Sequence, residues 1–189
     1  MRVITGKAKG IQLKTLQGEA TRPTSDRVKE AVFSMIQFDV EERTVLDLFS
    51  GSVQLAIEAV SRGAREAVLV DKSKDAISVI RENITKTKLS SQCTVYQSDS
   101  IDFIKRIAGK QFDIVFLDPP YAGHLYCPVL RSMLENNILK SSTLIICESG
   151  DEHLFDDDKA LEDNFVIEKH SKYGNTYITI LKIAQKEII

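Results

Sequence analysis

Four aspartates in this 189-residue chain stand where short apolar runs end. Asp47 precedes Leu48-Phe49-Ser50-Gly51-Ser52-Val53, Asp71 follows Gly51 by 20 residues, Asp99 lies within Ser98-Asp99-Ser100, and Asp118 opens Asp118-Pro119-Pro120-Tyr121. In an open α/β sheet, ligands bind beyond the carboxyl ends of the strands, so these positions are the ones able to do chemistry. A glycine turn entering a helix lets a ligand approach the backbone. An acid about 20 residues further on suits a ribose hydroxyl pair. Read singly, each residue is ordinary: Gly51 serves a tight strand-to-helix turn, and Asp71 and Asp99 are candidate N-caps. Together, at successive strand ends, they point to one crevice and a nucleoside-containing cofactor.

The fourth signal is the most specific. Two adjacent prolines fix the backbone and remove two N–H donors, leaving carbonyl oxygens and the Asp118 carboxylate as acceptors beside the Tyr121 ring. That set suits an exocyclic amine. A planar amino-heterocycle donates to Asp118 and the Pro119 carbonyl and stacks on Tyr121, which requires the base to be out of any duplex. The competing account is a rigid turn closing a buried strand.

The elements that must position these residues follow from periodicity. Short apolar runs alternate with amphipathic helical stretches after residue 43, the mark of repeated β-α units and a parallel sheet. The spacing predicts strands over 44–48, 67–70, 94–97, 113–117 and 143–147, and helices over 54–62, 74–86, 100–107 and 125–136. The β-rich runs 165–169 and 176–182 flank Ser171-Lys172-Tyr173-Gly174-Asn175, a hairpin signal that ends the parallel sheet in an antiparallel pair. Before the sheet, residues 1–20 read as a β-hairpin extension turning at Gly6-Lys7-Ala8-Lys9-Gly10. A helix follows within 21–43, with Thr24 as N-cap and Val28, Val32, Met35 and Ile36 on one stripe. The expectation is a single α/β domain whose sheet core spans 44–189.

Composition sets the class. With 43% apolar and 28% charged residues, 9 Gly and 4 Pro, the chain is neither disordered nor fibrous. No apolar run approaches the roughly 20 residues of a membrane span, and the first residues lack the apolar core of a secretory signal, so the mature chain is expected to start at Met1. Three scattered cysteines without a Cys-x-x-Cys pair suit a reducing cytoplasm, and three scattered histidines give no metal constellation. The net charge of −2 hides an asymmetry: Arg2, Lys7, Lys9 and Lys14 meet no acid before Glu19, whereas acids crowd residues 148–163. Such a division can orient a polyanion, or can be two solvated faces.

At this level the chain resembles the bacterial 16S rRNA (guanine-N2)-methyltransferases, with the S-adenosylmethionine (SAM) methyltransferase (Rossmann-like) fold. The resemblance covers nearly the whole chain. It rests on Met1-Arg2-Val3-Ile4-Thr5-Gly6, on Thr21-Arg22-Pro23-Thr24-Ser25-Asp26-Arg27-Val28-Lys29-Glu30-Ala31, on Val45-Leu46-Asp47-Leu48-Phe49, on Glu58-Ala59-Val60-Ser61-Arg62-Gly63-Ala64, and on Phe116-Leu117-Asp118-Pro119-Pro120-Tyr121. The last motif is shared with DNA adenine and other amino-methyltransferases, so it gives reaction class more than substrate. The resemblance implies that Asp47 and Gly51 line the methionine part of SAM, that Asp71 holds the ribose and that Asp99 and Ser100 meet the adenine, with Phe49 and Lys72 also binding the cofactor. It implies that Asp118, Pro119, Pro120 and Tyr121 hold the target amine. It further implies that Arg2, Lys7, Lys9, Arg22 and Arg27 grip RNA phosphates, that the substrate is 16S rRNA in a small-subunit assembly particle, and that the enzyme is a cytoplasmic monomer.

One departure bears on the cofactor. Where that family usually reads Gly-Ser-Gly-Ala-Leu-Gly, this chain reads Gly51-Ser52-Val53-Gln54-Leu55-Ala56. A β-branched residue resists φ > 0 and adds bulk where backbone should approach the cofactor. Two alternatives follow: an RNA-binding or ribosome-assembly module of the same fold that has lost methyl transfer, and an amino-methyltransferase acting on DNA adenine. A nicotinamide-dependent dehydrogenase leaves Asp118-Pro119-Pro120-Tyr121 without a role.

Overall fold

The computed structural model describes residues 1–16, 26–51, 53–120 and 124–185. Within them the chain runs α1 (Asp26–Met35), β1 (Thr44–Asp47), α2 (Gln54–Ser61), β2 (Glu66–Asp71), α3 (Lys74–Thr87), β3 (Cys93–Gln97), α4 (Ser100–Arg106), β4 (Phe112–Leu117), α5 (Tyr126–Glu135), β5 (Leu139–Ser149), α6 (Lys159–Glu162), β6 (Phe165–Tyr173) and β7 (Thr176–Ile183). The strands form one seven-stranded sheet in the order β3-β2-β1-β4-β5-β7-β6. The first five are parallel and β7 is antiparallel to both β5 and β6.

Alternation along the strands builds two cores. Val45, Ala67, Leu69, Ile114, Phe116, Leu144, Ile146, Ile178 and Ile180 face α1, α2 and α3. Their neighbours Leu46, Val68, Val70, Val115, Leu117, Ile145, Cys147 and Leu181 face α4 and α5. The period of two in a pleated strand sorts these runs, which is why buried parallel strands read as continuous apolar stretches.

Every predicted strand and sheet helix is present, with ends displaced by a few residues. The largest change is β5, which extends from the predicted 143–147 to Leu139–Ser149. The short α6, capped by Asp158, was not predicted. The predicted loop at 171–175 shrinks to Gly174-Asn175, because Ser171, Lys172 and Tyr173 pair with β7; Gly174 takes φ +63° there. The Thr24 cap lies outside the described residues.

The predicted N-terminal hairpin is not a pair of regular strands. A single antiparallel bridge joins Arg2 and Gln12, with Val3 N–H donating to the Ile11 carbonyl at 3.0 Å and Gly10 N–H to the Val3 carbonyl at 2.8 Å. Its apolar residues Val3, Ala8 and Leu13 are buried in the α1–α3 core, so packing on the sheet domain fixes it where strand pairing does not. A Cβ on Gly6 would lie 1.8 Å from the Ser61 carbonyl oxygen, so only glycine fits at this approach.

The dock is ionic as well. The fully buried Glu58 carboxylate accepts from Ile4 N–H (2.8 Å), Thr5 N–H (2.9 Å) and Arg62 Nε (2.8 Å), and lies 3.5 Å from the equally buried Lys29 ammonium. Lys29 Nζ also donates to the Arg2 carbonyl. Burial holds the Lys29 ammonium below its ordinary range, against the pull of Glu58 and Asp26.

Candidate active site

The carboxyl ends of the parallel strands carry a row of acids. Asp47 ends β1 and Asp71 ends β2. Asp118 follows β4, and Glu148 lies one residue before the end of β5. Asp47 shares the parity of Val45, Asp71 that of Leu69, Asp118 that of Phe116 and Glu148 that of Ile146, so all four belong to the α1–α3 side of the sheet. Asp47 pairs with Phe116 and Leu69, placing it two residues below Asp118 and Asp71. Leu117 registers with Cys147, so Asp118 and Glu148 come next to each other.

Crowding and burial perturb these groups. Burial pushes the Asp47 carboxyl up to about 7, with the Asp71 charge adding to it; hydrogen bonds from Phe49 N–H, Ser50 and Ala56 N–H pull the other way. Burial likewise lifts Asp118 well above the usual carboxylate range, and the neighbouring Glu148 and Asp47 reinforce it. Such perturbation by desolvation and like charge marks a cleft where a cation or a proton donor would be stabilised.

The turn between β1 and α2 is held from both sides. Gly51, at φ +47°, donates its N–H to Asp71 Oδ2 at 2.9 Å, and Ser73 N–H donates to Asp71 Oδ1 at 2.8 Å. Ser50 Oγ donates to the Asp47 carbonyl at 3.0 Å and accepts from Val70 N–H at 3.1 Å. Asp71 is therefore not the cap of α3; Ser73 is, its Oγ accepting from Ala76 N–H. Asp99 does cap α4, accepting from Ile101 N–H at 2.9 Å, and Ser100 beside it is buried.

Val53 adopts the conformation its residue type disfavours. It is the N-cap of α2 at φ +67°, ψ +26°, fully buried, with no side-chain capping bond. The left-handed region costs a β-branched residue of order 1–2 kcal/mol or more. The chain keeps the backbone path of a glycine turn while carrying a valine through it.

This end of the sheet suits SAM on its own features. A carboxylate offers about four lone-pair sites, and the two N–H donors at Asp71 leave acceptor capacity for ribose hydroxyls. The acidic row beneath favours a cation. Gly51 leaves its backbone approachable, since a Cβ there would meet only the Phe49 carbonyl oxygen at 3.8 Å. Phe49 is half-buried against the α4–α5 core and Lys72 is exposed.

On the target side, Asp118 is half-buried, Pro119 buried and Pro120 exposed; Tyr121 lies outside the described residues. Glu148 was not singled out in the sequence, where it reads as the first acid of the 148–163 stretch. Its position at the end of an apolar run, like Asp71 after Val70, was the available signal. Tyr126 joins it, donating its hydroxyl to the Glu148 carbonyl. Among the described residues, no group of three or more His, Cys, Asp or Glu side chains is placed to hold a metal ion, and no helix is long and apolar enough to cross a membrane.

Among the described residues, the basic N-terminal side chains are not gathered at this end of the sheet. Lys7 N–H bonds the Ser61 carbonyl at 2.8 Å, placing the hairpin turn at the C-terminal end of α2, the end opposite the Gly51–Val53 turn. Arg2 lies 3.7 Å from Asp26 and Lys14 lies 2.6 Å from Glu82. Lys7, Lys9 and Arg27 are exposed, and Arg22 lies outside the described residues.

Comparison with known proteins bears on this arrangement. The family model described as "Conserved hypothetical protein 95" matches residues 1–182. "Putative rRNA methyltransferase YlbH" of Bacillus subtilis is 34% identical over 184 residues, covering 96% of this chain and 98% of that protein. "Ribosomal RNA small subunit methyltransferase D" of Haemophilus influenzae is 36% identical over 151 residues, covering 79% and 78%. Among solved structures, "Putative methyltransferase yhhF from Escherichia coli" superimposes with a TM-score of 0.83 at 27% identity, covering 97% of each chain.

Proposed function

The chain belongs to the Conserved hypothetical protein 95 family, and on that premise we propose that it is a SAM-dependent rRNA methyltransferase acting on the exocyclic N2 amine of a guanine in 16S rRNA. The observation that carries the reading is the joining of a braced nucleoside-cofactor turn to Asp118-Pro119-Pro120 on one acidic row. The relatives named for small-subunit rRNA methylation support the RNA substrate.

When bound, SAM would supply an electrophilic methyl group on a positively charged sulfur, with the neutral thioether as leaving group. The chain's own residues provide position and charge. Asp71 and the Gly51 turn hold the ribose end, with Lys72 beside Asp71, and Asp99 and Ser100 border the adenine end. Asp47, with Phe49, faces the methionine end, where a cation stabilises its carboxylate. Asp118 and the Pro119 carbonyl accept from the two amine protons, which directs the nitrogen lone pair out of the hydrogen-bonding plane. Proximity and orientation of this kind supply much of an enzyme's acceleration. Tyr121 is assigned to stacking on the base. The exposed Lys7, Lys9 and Arg27, with Arg2 and Arg22, are assigned to RNA phosphates. A small-subunit assembly particle as substrate and a monomeric, cytoplasmic enzyme complete the reading.

The test is calorimetric titration of the folded protein with SAM and with its demethylated product. Micromolar binding of both is expected. No binding by a folded protein that still binds 16S rRNA would identify an RNA-binding module instead, the outcome to which the strained Val53 turn would then be assigned.

A further inference from the structure

β4 and β5 are adjacent parallel strands whose last registered pair is Leu117 with Cys147, so the next residues, Asp118 and Glu148, stand side by side. Glu148 is 5% exposed. Its backbone cannot swing aside: it pairs with Ile178 of β7, and its carbonyl accepts from the Tyr126 hydroxyl of α5. Among the described residues, the titratable groups facing Asp118 from the neighbouring strands are Glu148 on β5 and Asp47 on β1. Asp71, on β2, faces Asp47 from the far side. All of them are acids.

Resting on the methyl-transfer reading above, we propose that Glu148 is a positioning residue for that reaction, acting through Asp118: its carboxyl group, fixed beside Asp118, keeps Asp118 able to take the proton that the methylated amine releases. The amine nitrogen starts with two protons. Once its lone pair has bonded to the methyl carbon, it is cationic and one proton must leave. That proton passes to an Asp118 oxygen, the N–H bonding pair stays on nitrogen, and Asp118 returns the proton to solvent water.

An isolated carboxylate of ordinary acidity is a poor proton acceptor near neutrality. A base works best when its proton affinity is matched to the operating pH, and burial with a like charge alongside is the physical means of raising it. Asp118 has both, burial being the larger cause and Glu148 the next. Asp47 acts in the same sense but lies two residues lower, facing the proposed methionine end, where a bound cation would offset its charge. Glu148 is left as the neighbouring carboxyl group that bears on Asp118 during transfer.

The experiment is single-turnover methyl transfer from SAM to unmodified 16S rRNA across pH 5–9, for wild type, Glu148→Gln, Glu148→Ala and Glu148→Asp, with SAM affinity measured for each. The wild-type rate should rise with pH to a plateau. In the Gln and Ala variants the acid-side inflection should move about one pH unit or more lower, because removing a like charge makes Asp118 easier to ionise. The plateau should fall roughly threefold to tenfold as the base weakens. Glu148→Asp should keep an inflection near that of wild type. Superimposable profiles, or a lower plateau with an unmoved inflection, would overturn the proposal and leave the methyl-transfer reading standing. Failure of both neutral variants to bind SAM would make Glu148 a folding residue and overturn it as well. A wild-type protein that transfers no methyl group would overturn the underlying reading and this proposal with it.

Discussion

The main-chain N–H of Gly51 donates to the Asp71 carboxylate at 2.9 Å, tying the turn after β1 to the end of β2. One side chain thus shapes the turn and keeps lone pairs to spare, which the proposed function assigns to a ribose. Replacing Asp71 with Ala should weaken SAM binding by roughly 10- to 100-fold, the scale of a lost hydrogen bond to a charged group. Calorimetric titration checks this, and unchanged affinity would mean that Asp71 only braces the turn.

Val53 at φ +67° makes a second prediction, of opposite sign for two properties. Val53→Gly removes a left-handed strain of about 1–2 kcal/mol that the unbound fold already carries; it also frees the turn to adjust as SAM enters, so SAM should bind more tightly, by roughly threefold to tenfold. It also removes a fully buried side chain, a loss of about 1.5–3 kcal/mol, so urea stability should stay level or fall slightly. Unchanged or weaker SAM binding would count against the strained turn as the limit on affinity.

The Asp47 carboxyl predicts a pH dependence. Burial lifts it from 3.8 to about 7 in the folded protein. A group whose folded value is raised favours folding below its unfolded value and loses that contribution as pH rises through the folded one. Wild type should therefore lose up to about 4 kcal/mol against Asp47→Asn between pH 4 and pH 7. Denaturant midpoints of the two proteins across that range measure it. A bound cation would reverse the cost, so wild-type SAM affinity should rise between pH 6 and pH 8 and that of Asp47→Asn should stay flat. A constant difference in stability would show that Asp47 does not titrate there.

Glu58 and Lys29, 3.5 Å apart and both fully buried, predict the stability of the N-terminal dock. Glu58→Ala leaves Lys29 charged and unpaired and should cost about 3–5 kcal/mol. Lys29→Met combined with Glu58→Leu should recover only part of that loss: the uncompensated charge is gone, but the Ile4, Thr5 and Arg62 donors lose their acceptor. Urea unfolding of Lys29→Met, Glu58→Leu and the double variant gives the coupling, and additive losses would refute the ionic dock.

Most of the fold was legible because buried parallel strands are apolar runs and their helices are amphipathic. Val45-Leu46-Asp47, Val68-Leu69-Val70-Asp71 and Phe116-Leu117-Asp118 each announce a strand and the acid at its end. The conflict at Val53 was also legible, since residue type alone disfavours φ > 0 and the turn requires it. Glu148 was not, because a strand end and the start of an acidic surface stretch look alike until β5 is seen to run through Ser149. Nor was the N-terminal dock, which depends on Glu58 meeting Ile4 and Thr5 more than 50 positions away in the chain. Ser73 displaced Asp71 as the helix cap because Asp71 was already engaged by two backbone N–H groups.

Methyl transfer at Asp118 can be followed with labelled methyl groups from SAM. Wild type and Asp118→Ala would be incubated with unmodified 16S rRNA and with duplex DNA, followed by digestion to nucleosides. Label should appear in N2-methylguanosine from the rRNA with wild type, and Asp118→Ala should lose transfer while its SAM binding stays near wild type. Label in DNA adenine, or nearly wild-type turnover by Asp118→Ala, would contradict the proposed function.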